Sequence, residues 1–183
     1  MKKLFSAFAL SGALLVTLSA CGGSSSASST PDAKPKTPQE IDADIYRTVT
    51  NVESRMDSLS DGIVSMSVGN LSMEDLYDSC EVAIADVNLA LETVKQYEDD
   101  EAISGYVDAA QDVLNNVGAA HIKMQDFLDG GTQEDLEYAM TCIDNRDLVN
   151  VPFVAARQQY LTDSGLSSDD IAKINEELGI SVE

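Results

Sequence analysis

The sequence is poor in several residue types on which common protein activities depend. It has no Trp, one His and four Phe among 183 residues. With 5% aromatic but 44% hydrophobic residues, the core has to consist mainly of aliphatic side chains and Ala. This composition favours one folded, helical domain over a β-sandwich. A single His also excludes most mechanisms of general-base catalysis.

Basic residues are scarce too: 11 Lys and Arg stand against 32 Asp and Glu, which gives a net charge of −21. So acidic a surface repels nucleic acid and anionic lipid head groups, and we expect no polynucleotide partner. The solubility of an exported domain is the simplest explanation of the charge. A basic protein partner or a cation is compatible with it.

Motifs that carry catalysis are missing as well. The chain has no Gly-rich phosphate loop, no Gly-x-Ser-x-Gly, no His-Glu-x-x-His and no Cys-x-x-Cys. The acidic run from Asp57 to Gly62 has Leu59 where a calcium loop requires an oxygen ligand. Pairs of carboxylates carry little information, because they arise by chance among 32 acids. The sequence therefore indicates neither an enzyme nor a cofactor.

The N-terminus has the pattern of an export signal. Residues 1–20 combine a basic start with an apolar run that is short for a membrane-spanning helix. The motif Leu18-Ser19-Ala20-Cys21 resembles the lipobox of bacterial lipoproteins, and the resemblance covers the first two dozen residues only. It implies cleavage after Ala20, attachment of lipid to Cys21, and a protein anchored to the extracytoplasmic face of the cell membrane without spanning it. Loss of residues 1–20 would change the net charge from −21 to −23.

A tether and one helical domain are predicted after the signal. Residues 21–37 carry the lipidated Cys and a Ser-, Gly- and Pro-rich segment without apolar periodicity, whose ends lie on the order of 20 Å apart as a flexible coil. Residues 38–183 show apolar positions at steps of three and four, which is typical of amphipathic helices. The prediction is an all-α antiparallel bundle of about four main helices with a short helical C-terminal appendage.

Capping residues predict where these helices begin and end. The first helix begins at Pro38 and runs to about Val68, although Gly62 is a possible end. The third helix is capped by Asp99 or Asp100. The remaining expectations are a second helix after Ser72, a fourth after Thr132, a break at Asn150 with a new helix from about Pro152 to Asp163, and a short last helix after Ser167.

Two cysteines remain once Cys21 carries lipid, and an even pair in an exported chain is a disulfide candidate. In an antiparallel bundle Cys80, His121 and Cys142 are expected at similar distances from one end. A Cys80–Cys142 disulfide is the favoured prediction, but it requires adjacent helices and is difficult to form between diagonal ones. A copper or zinc site that adds His121 and Met56 is a weaker alternative, and two unbridged buried cysteines are the third.

The segment "VPFVAARQQYL" places Phe153, Arg157 and Tyr160 at helical spacing. These residue types are enriched at protein interfaces, but core packing explains Phe153 and Tyr160 equally well and is preferred. For the whole chain we expect a lipid-anchored binding or scaffolding module of the cell envelope, with an envelope protein or a cation as its partner. A carrier of a small ligand or metal ion is the alternative, and a carboxylate-based hydrolase is less favoured. The oligomeric state is left open.

Overall fold

Seven α-helices follow one another in the computed structural model, which describes residues 35–180. They are α1 (Pro38–Glu53), α2 (Arg55–Ser67), α3 (Met73–Lys95), α4 (Ser104–Leu128), α5 (Gln133–Asp144), α6 (Asp147–Asp163) and α7 (Ser168–Glu177). No β-strand occurs among residues 35–180. The predicted all-α bundle is therefore confirmed, whereas the predicted signal, Cys21 and nearly all of the tether lie outside the described residues.

The first helix of the bundle, α1, begins where the sequence predicts it. The Thr37 hydroxyl accepts a hydrogen bond from the Glu40 N–H at 3.3 Å, and the Glu40 carboxylate accepts one from the Thr37 N–H at 2.7 Å. Pro38 takes the first helical position, where its missing N–H costs nothing. The predicted single helix to Val68 is interrupted only at Ser54, whose backbone stays near-helical with φ −58° and ψ −16°. We therefore treat α1 and α2 as one column.

Gly62 does not end this column but lies buried inside α2. A Cβ atom at this position would be 2.7 Å from Cδ1 of Leu76 on α3. The absent side chain thus allows α2 and α3 to approach each other closely.

The start of α4 differs from the prediction, which placed a cap at Asp99 or Asp100. The Asp100 carboxylate instead accepts a hydrogen bond from the Ala102 N–H at 3.0 Å. The Asp100 carbonyl accepts from Ile103 at 3.0 Å, so a tight turn precedes the helix. The helix then begins at Ser104 with Ile103 at the N-cap position and no side-chain cap. The acidic corner is a turn because the bond to the Asp100 side chain competes with helix formation.

The break between α5 and α6 also lies elsewhere than predicted. The helix ends at Asp144 and restarts at Asp147, whereas the sequence predicted a break at Asn150 and a restart near Pro152. Pro152 is accommodated inside α6. Its missing N–H leaves the Leu148 carbonyl without a helical donor, and Leu148 is 71% exposed, so water can hydrate that carbonyl.

The four columns α1–α2, α3, α4 and α5–α6 run alternately up and down. α4 packs against both α3 and α5–α6, and α1–α2 packs against all three of these columns, whereas α3 has no extensive contact with α5 or α6. Consequently α3 and α5–α6 occupy opposite corners of the bundle. The antiparallel directions follow from residue pairs that meet between neighbouring columns. Between α1–α2 and α3 these are Arg55 with Asp86 and Gly62 with Leu76, and between α3 and α4 they are Val87 with Gly118 and Tyr77 with Gln125. Between α4 and α5–α6 they are Asn116 with Cys142 and Lys123 with Asp135, and between α1–α2 and α5–α6 they are Glu53 with Asn150 and Asp42 with Arg157.

The appendage α7 closes one end of the bundle. Its N-terminus is capped by Ser167 and Asp170, as the sequence predicts. Ile171 and Ile174 join the core, which is otherwise built mainly of aliphatic side chains and Ala from α1 to α6. The same end of the bundle contains the start of α1.

Candidate functional site

Helix α6 has apolar side chains on two opposite sides. Phe153 and Tyr160 face inward and are 3% and 7% exposed, which confirms the prediction that they belong to the core. Leu148, Val151 and Val154 face outward and are 71%, 66% and 56% exposed. A helix on the surface of a soluble domain normally presents polar residues on its outer side. The outer side of α6 is therefore the feature that requires an explanation.

The outer side of α6 also lacks charge. Between Leu148 and Thr162 the only charged residue is Arg157, which is buried. An open depression of about 540 Å³ lies over Val151, Val154 and Ala155. We call the set Leu148, Val151, Val154, Ala155 and Gln158 the α6 row. An uncharged, largely apolar surface of this kind typically marks an interaction site, and here it occurs on a chain with a net charge of −21.

Shallow grooves border the α6 row on both sides. The groove toward α1 has a volume of about 210 Å³ and is lined by residues that include Tyr46, Thr50 and Glu53. The groove toward α4 has a volume of about 260 Å³, and its wall includes Gly105 and Asp163. A ridge between two grooves has the shape against which the ridges of a partner helix pack.

A smaller apolar groove lies between α2 and α5. Ile63, Val64, Met140 and Ile143 line it, and its volume is about 90 Å³. The periodicity of the sequence places Met140 on the apolar side of its helix, yet this side chain is 44% exposed at the groove. Because this groove is the smaller one, we take the α6 row as the main candidate surface.

A buried ion pair fixes α6 from below. Arg157 donates from Nε to Asp42 Oδ1 at 2.8 Å and from Nη2 to Asp42 Oδ2 at 2.7 Å. Asp42 and Arg157 are 0% and 4% exposed. Tyr106 on α4 donates its hydroxyl to Asp42 at 3.1 Å, and Arg157 Nη1 donates to Asn175 on α7 at 2.8 Å. One network therefore connects α1, α4, α6 and α7.

Aromatic rings surround this network. Tyr106 stacks on Phe153 and on Tyr160, with ring centroids 5.3 Å and 5.8 Å apart. The Arg157 guanidinium lies 4.7 Å from the centre of the Tyr46 ring, an arrangement that favours a cation. These contacts use four of the eight aromatic residues of the domain to hold the inner side of α6.

The chemistry of the network is structural. Burial, more than any nearby charge, raises the pKa of Tyr106, so its phenol keeps the proton that it donates to Asp42. The carboxylate of Asp42 is occupied by two guanidinium bonds and one phenol bond. The arrangement keeps α6 rigid, and a rigid helix presents its outer side with little loss of entropy on binding.

The two candidate disulfide residues are both free thiols in the structure. Cys80 lies on α3 and Cys142 on α5, helices at opposite corners of the bundle. Burial raises the pKa of the Cys80 thiol to about 11 and also raises that of Cys142, so neither forms a thiolate readily near neutral pH. The third expectation for this pair, two unbridged buried cysteines, is the state that the structure shows, and the disulfide itself stays a prediction.

The structure places Cys142 beside α4, where its carbonyl accepts a hydrogen bond from Asn116 at 3.1 Å. Cys80 lies on α3 between Tyr77, whose carbonyl accepts a hydrogen bond from Gln125, and Val87, which packs on Gly118. The expected common layer of the two cysteines stays a prediction.

His121 is buried on α4. Its Nδ1 lies 2.8 Å from the Val117 carbonyl, and the backbone of Arg55, at the start of α2, also contacts the imidazole. Burial lowers the pKa of His121, although these backbone contacts act in the opposite direction. The residue thus connects α4 to the first column as a neutral imidazole.

The described residues contain no group of three or more His, Cys, Asp or Glu side chains placed to hold a metal ion. Cys80, His121 and Cys142, which with Met56 make up the expected copper or zinc site, form no such group in residues 35–180. None of the described helices is long and apolar enough to cross a membrane.

Sequence reasoning did not identify Asp42 or the α6 row. Asp42 precedes Ile45 by three residues and Val49 by seven, so it shares their helix face and is an acid at a core position. Arg157 follows Phe153 by four residues and precedes Tyr160 by three, so it too shares a helix face with core residues. Each charge alone resembles a surface residue, and only the two together indicate a buried pair. The α6 row could have been found from the absence of charge between Leu148 and Thr162.

Comparison with protein-family models, curated proteins and solved structures gives no match to this chain. Function is therefore argued from the residues and the geometry of the bundle alone.

Proposed function

We propose that this chain is an exported lipoprotein, anchored to the membrane through Cys21, whose acidic helical domain binds another component of the cell envelope. The resemblance of Leu18-Ser19-Ala20-Cys21 to a lipobox supports the anchor. Residues 22–37 would give the domain a spacer that lets it stand clear of the lipid head groups. The proposed role is contact with a partner, without catalysis.

The α6 row is the observation that supports binding most strongly. Three large apolar side chains there are more than half exposed, while the buried ion pair beneath them keeps the helix in place. Burial of one such side chain contributes about 1.5–3 kcal/mol when it leaves water completely. Covering the row would therefore stabilise a complex, and a rigid helix loses little conformational entropy when it is covered.

The anchor is tested by labelling cells that express the chain with a clickable palmitate analogue. We expect label on the wild-type chain and none on Cys21→Ser, which should also leave the membrane fraction. Cys80→Ser serves as the matched control and should keep both the label and the membrane association. Label that persists in Cys21→Ser would contradict a lipid anchor at this residue.

Binding is tested by the accessibility of introduced thiols. Val151→Cys on α6 and Leu89→Cys on α3 replace residues that are 66% and 63% exposed, on opposite corners of the bundle. In purified protein both should react quickly with an impermeant maleimide, since the native Cys80 and Cys142 are buried. In intact cells, reaction at Val151→Cys should be slower by several-fold and reaction at Leu89→Cys unchanged. Equal rates at the two positions in cells would refute the proposal.

The ligand-carrier alternative has less support among the described residues. The depression of about 540 Å³ lies on the open outer side of α6, and the grooves beside it are surface clefts between helices. A carboxylate-based hydrolase also lacks a supporting observation in this part of the chain, because the most buried acid, Asp42, is fully engaged by Arg157 and Tyr106.

A further inference from the structure

We propose that the α6 row docks a basic amphipathic helix of a partner protein. The apolar stripe of that helix would pack on the row, and its flanking Lys or Arg side chains would face the acids around it. The inference rests on the proposed function, that the row is a binding surface, and adds the chemical class of the partner. Its basis is the charge distribution around the row.

Acidic side chains flank the row at its N-terminal end and along α1. Asp144 and Asp147 are exposed on either side of the α5–α6 break, immediately before Leu148. Glu53 lines the groove between α1 and α6, where its carboxylate accepts a hydrogen bond from Asn150 at 2.9 Å. Three carboxylates therefore surround the end of the row where the most exposed leucine lies.

Acids also flank the row on the α4 side. Asp163 lines the groove between α4 and α6, whose other wall includes Gly105. Asp108 and Asp112 are exposed three and seven residues after Gly105, and that spacing places all three positions on one side of α4. The uncharged ridge thus has acids on both flanks and at both ends.

The basic side chains nearby do little to offset these acids. Arg146 forms an ion pair with Asp57 at 2.5 Å and lies 3.9 Å from Glu53. Arg157 is buried against Asp42, and Arg47 is the exposed basic residue on the neighbouring part of α1. A second copy of this chain would place acids against acids, which costs free energy, whereas a basic helix would place opposite charges together. The charge distribution therefore favours a basic partner over self-association.

The size of the row fits one helix. From Leu148 to Gln158 the row spans ten residues along α6, or about 15 Å, which corresponds to about three turns of a partner helix. A helix of that length offers three or four anchors at i, i+3 or i+4, and i+7, as in known helix-in-groove recognition. The two grooves beside the row would take the neighbouring side chains of those anchors.

The test uses three synthetic helical peptides that share one Leu stripe and differ in the flanking residues, which are Lys, Glu or Gln. The protein is the compact unit from Pro35 to Glu183, which contains the hydrophobic core formed by the described residues. Fluorescence anisotropy should show that the Lys-flanked peptide binds at least tenfold more tightly than the other two. Raising the salt from about 50 to about 300 mM should weaken its binding several-fold, because exposed charges are screened.

Variants that leave the net charge unchanged show where the peptide binds. Replacing Leu148, Val151 and Val154 with Ser should weaken binding of the Lys-flanked peptide by roughly tenfold or more, since about 1.4 kcal/mol corresponds to a factor of ten. The matched control replaces Val82 and Leu89, which are exposed on the diagonal helix α3, with Ser and should leave binding unchanged. Equal losses in the two variants would overturn the docking site.

Charge variants test the class of partner. Asp144→Asn with Asp147→Asn should weaken binding several-fold, whereas Glu81→Gln with Glu92→Gln on α3 removes the same charge far from the row and should not. Equal binding of the Glu- and Lys-flanked peptides would overturn a basic partner. A dimer of the unit in light scattering would also overturn a basic partner if the Ser variants of the row dissociate that dimer. Either result, combined with protection of Val151→Cys in cells, would leave the proposed binding function standing and remove only its basic partner.

Discussion

The buried pair of Asp42 and Arg157 permits a quantitative prediction about what holds the binding helix in place. Asp42→Ala leaves the guanidinium of Arg157 buried without its two carboxylate bonds, and it removes the acceptor of the Tyr106 hydroxyl. Removal of one partner of a buried ion pair typically costs about 3–5 kcal/mol. For a domain of this size that loss corresponds to a fall in Tm on the order of 10 °C.

Urea unfolding, followed by the helical circular dichroism signal, measures this loss. The control Asp86→Ala breaks the partly exposed ion pair with Arg55, in which Nη2 and Oδ2 are 2.6 Å apart, and should cost less than about 1 kcal/mol. In Asp42→Leu combined with Arg157→Met no buried charge is left uncompensated, so the double variant should recover most of the lost free energy of unfolding. The reasoning would be refuted if Asp42→Ala cost no more than Asp86→Ala.

Three further predictions concern the rest of the bundle. Burial lowers the pKa of His121 below its value in the unfolded chain, so the unfolded chain binds the proton first as the pH falls. The free energy of unfolding should therefore decrease as the pH drops below about 6.5. His121→Gln should lack this part of the pH dependence, and identical pH profiles of the variant and the wild type would contradict the prediction. A Cβ at Gly131 would lie 2.5 Å from the Asp126 carbonyl oxygen, so Gly131→Ala should destabilise the protein. A Cβ at Gly105 would meet nothing within 4 Å, so Gly105→Ala should stabilise the protein by up to about 1 kcal/mol. Thermal unfolding of both variants checks these opposite signs. Titration of the denatured, unreduced unit 35–183 should find two thiols, from Cys80 and Cys142, and a count of zero would show that the predicted disulfide forms after all.

The helix content of the bundle could be predicted because each signal lies within a few residues of its effect. The capping box of Thr37 and Glu40 and the cap at Ser167 depend on local hydrogen bonds, and the structure has both. The wrong boundaries arose where one local preference competed with another. Asp100 was expected to cap a helix and forms a turn instead, and Pro152 was expected to break a helix that accommodates it.

The candidate site could not be predicted in the same way, because it depends on contacts between distant residues. Asp42 and Arg157 are 115 residues apart, and neither sequence neighbourhood reveals the other. The layer expected for Cys80 and Cys142 assumed the correct directions of the helices. It left open which helices become neighbours, and the diagonal placement of α3 and α5 follows from how whole columns pack. The exposed row on α6 was hidden because its apolar residues resemble core residues in the sequence.

Photo-crosslinking in living cells tests the central claim, that the outer side of α6 is a binding surface, most directly. A photoreactive amino acid is placed at Val151 in one strain and at Leu89 in another, two positions of similar exposure on opposite corners of the bundle. The account predicts a discrete adduct at Val151 that disappears when Leu148 and Val154 are changed to Ser, and no corresponding adduct at Leu89. The absence of an adduct at Val151, or the same adduct from both positions, would contradict it.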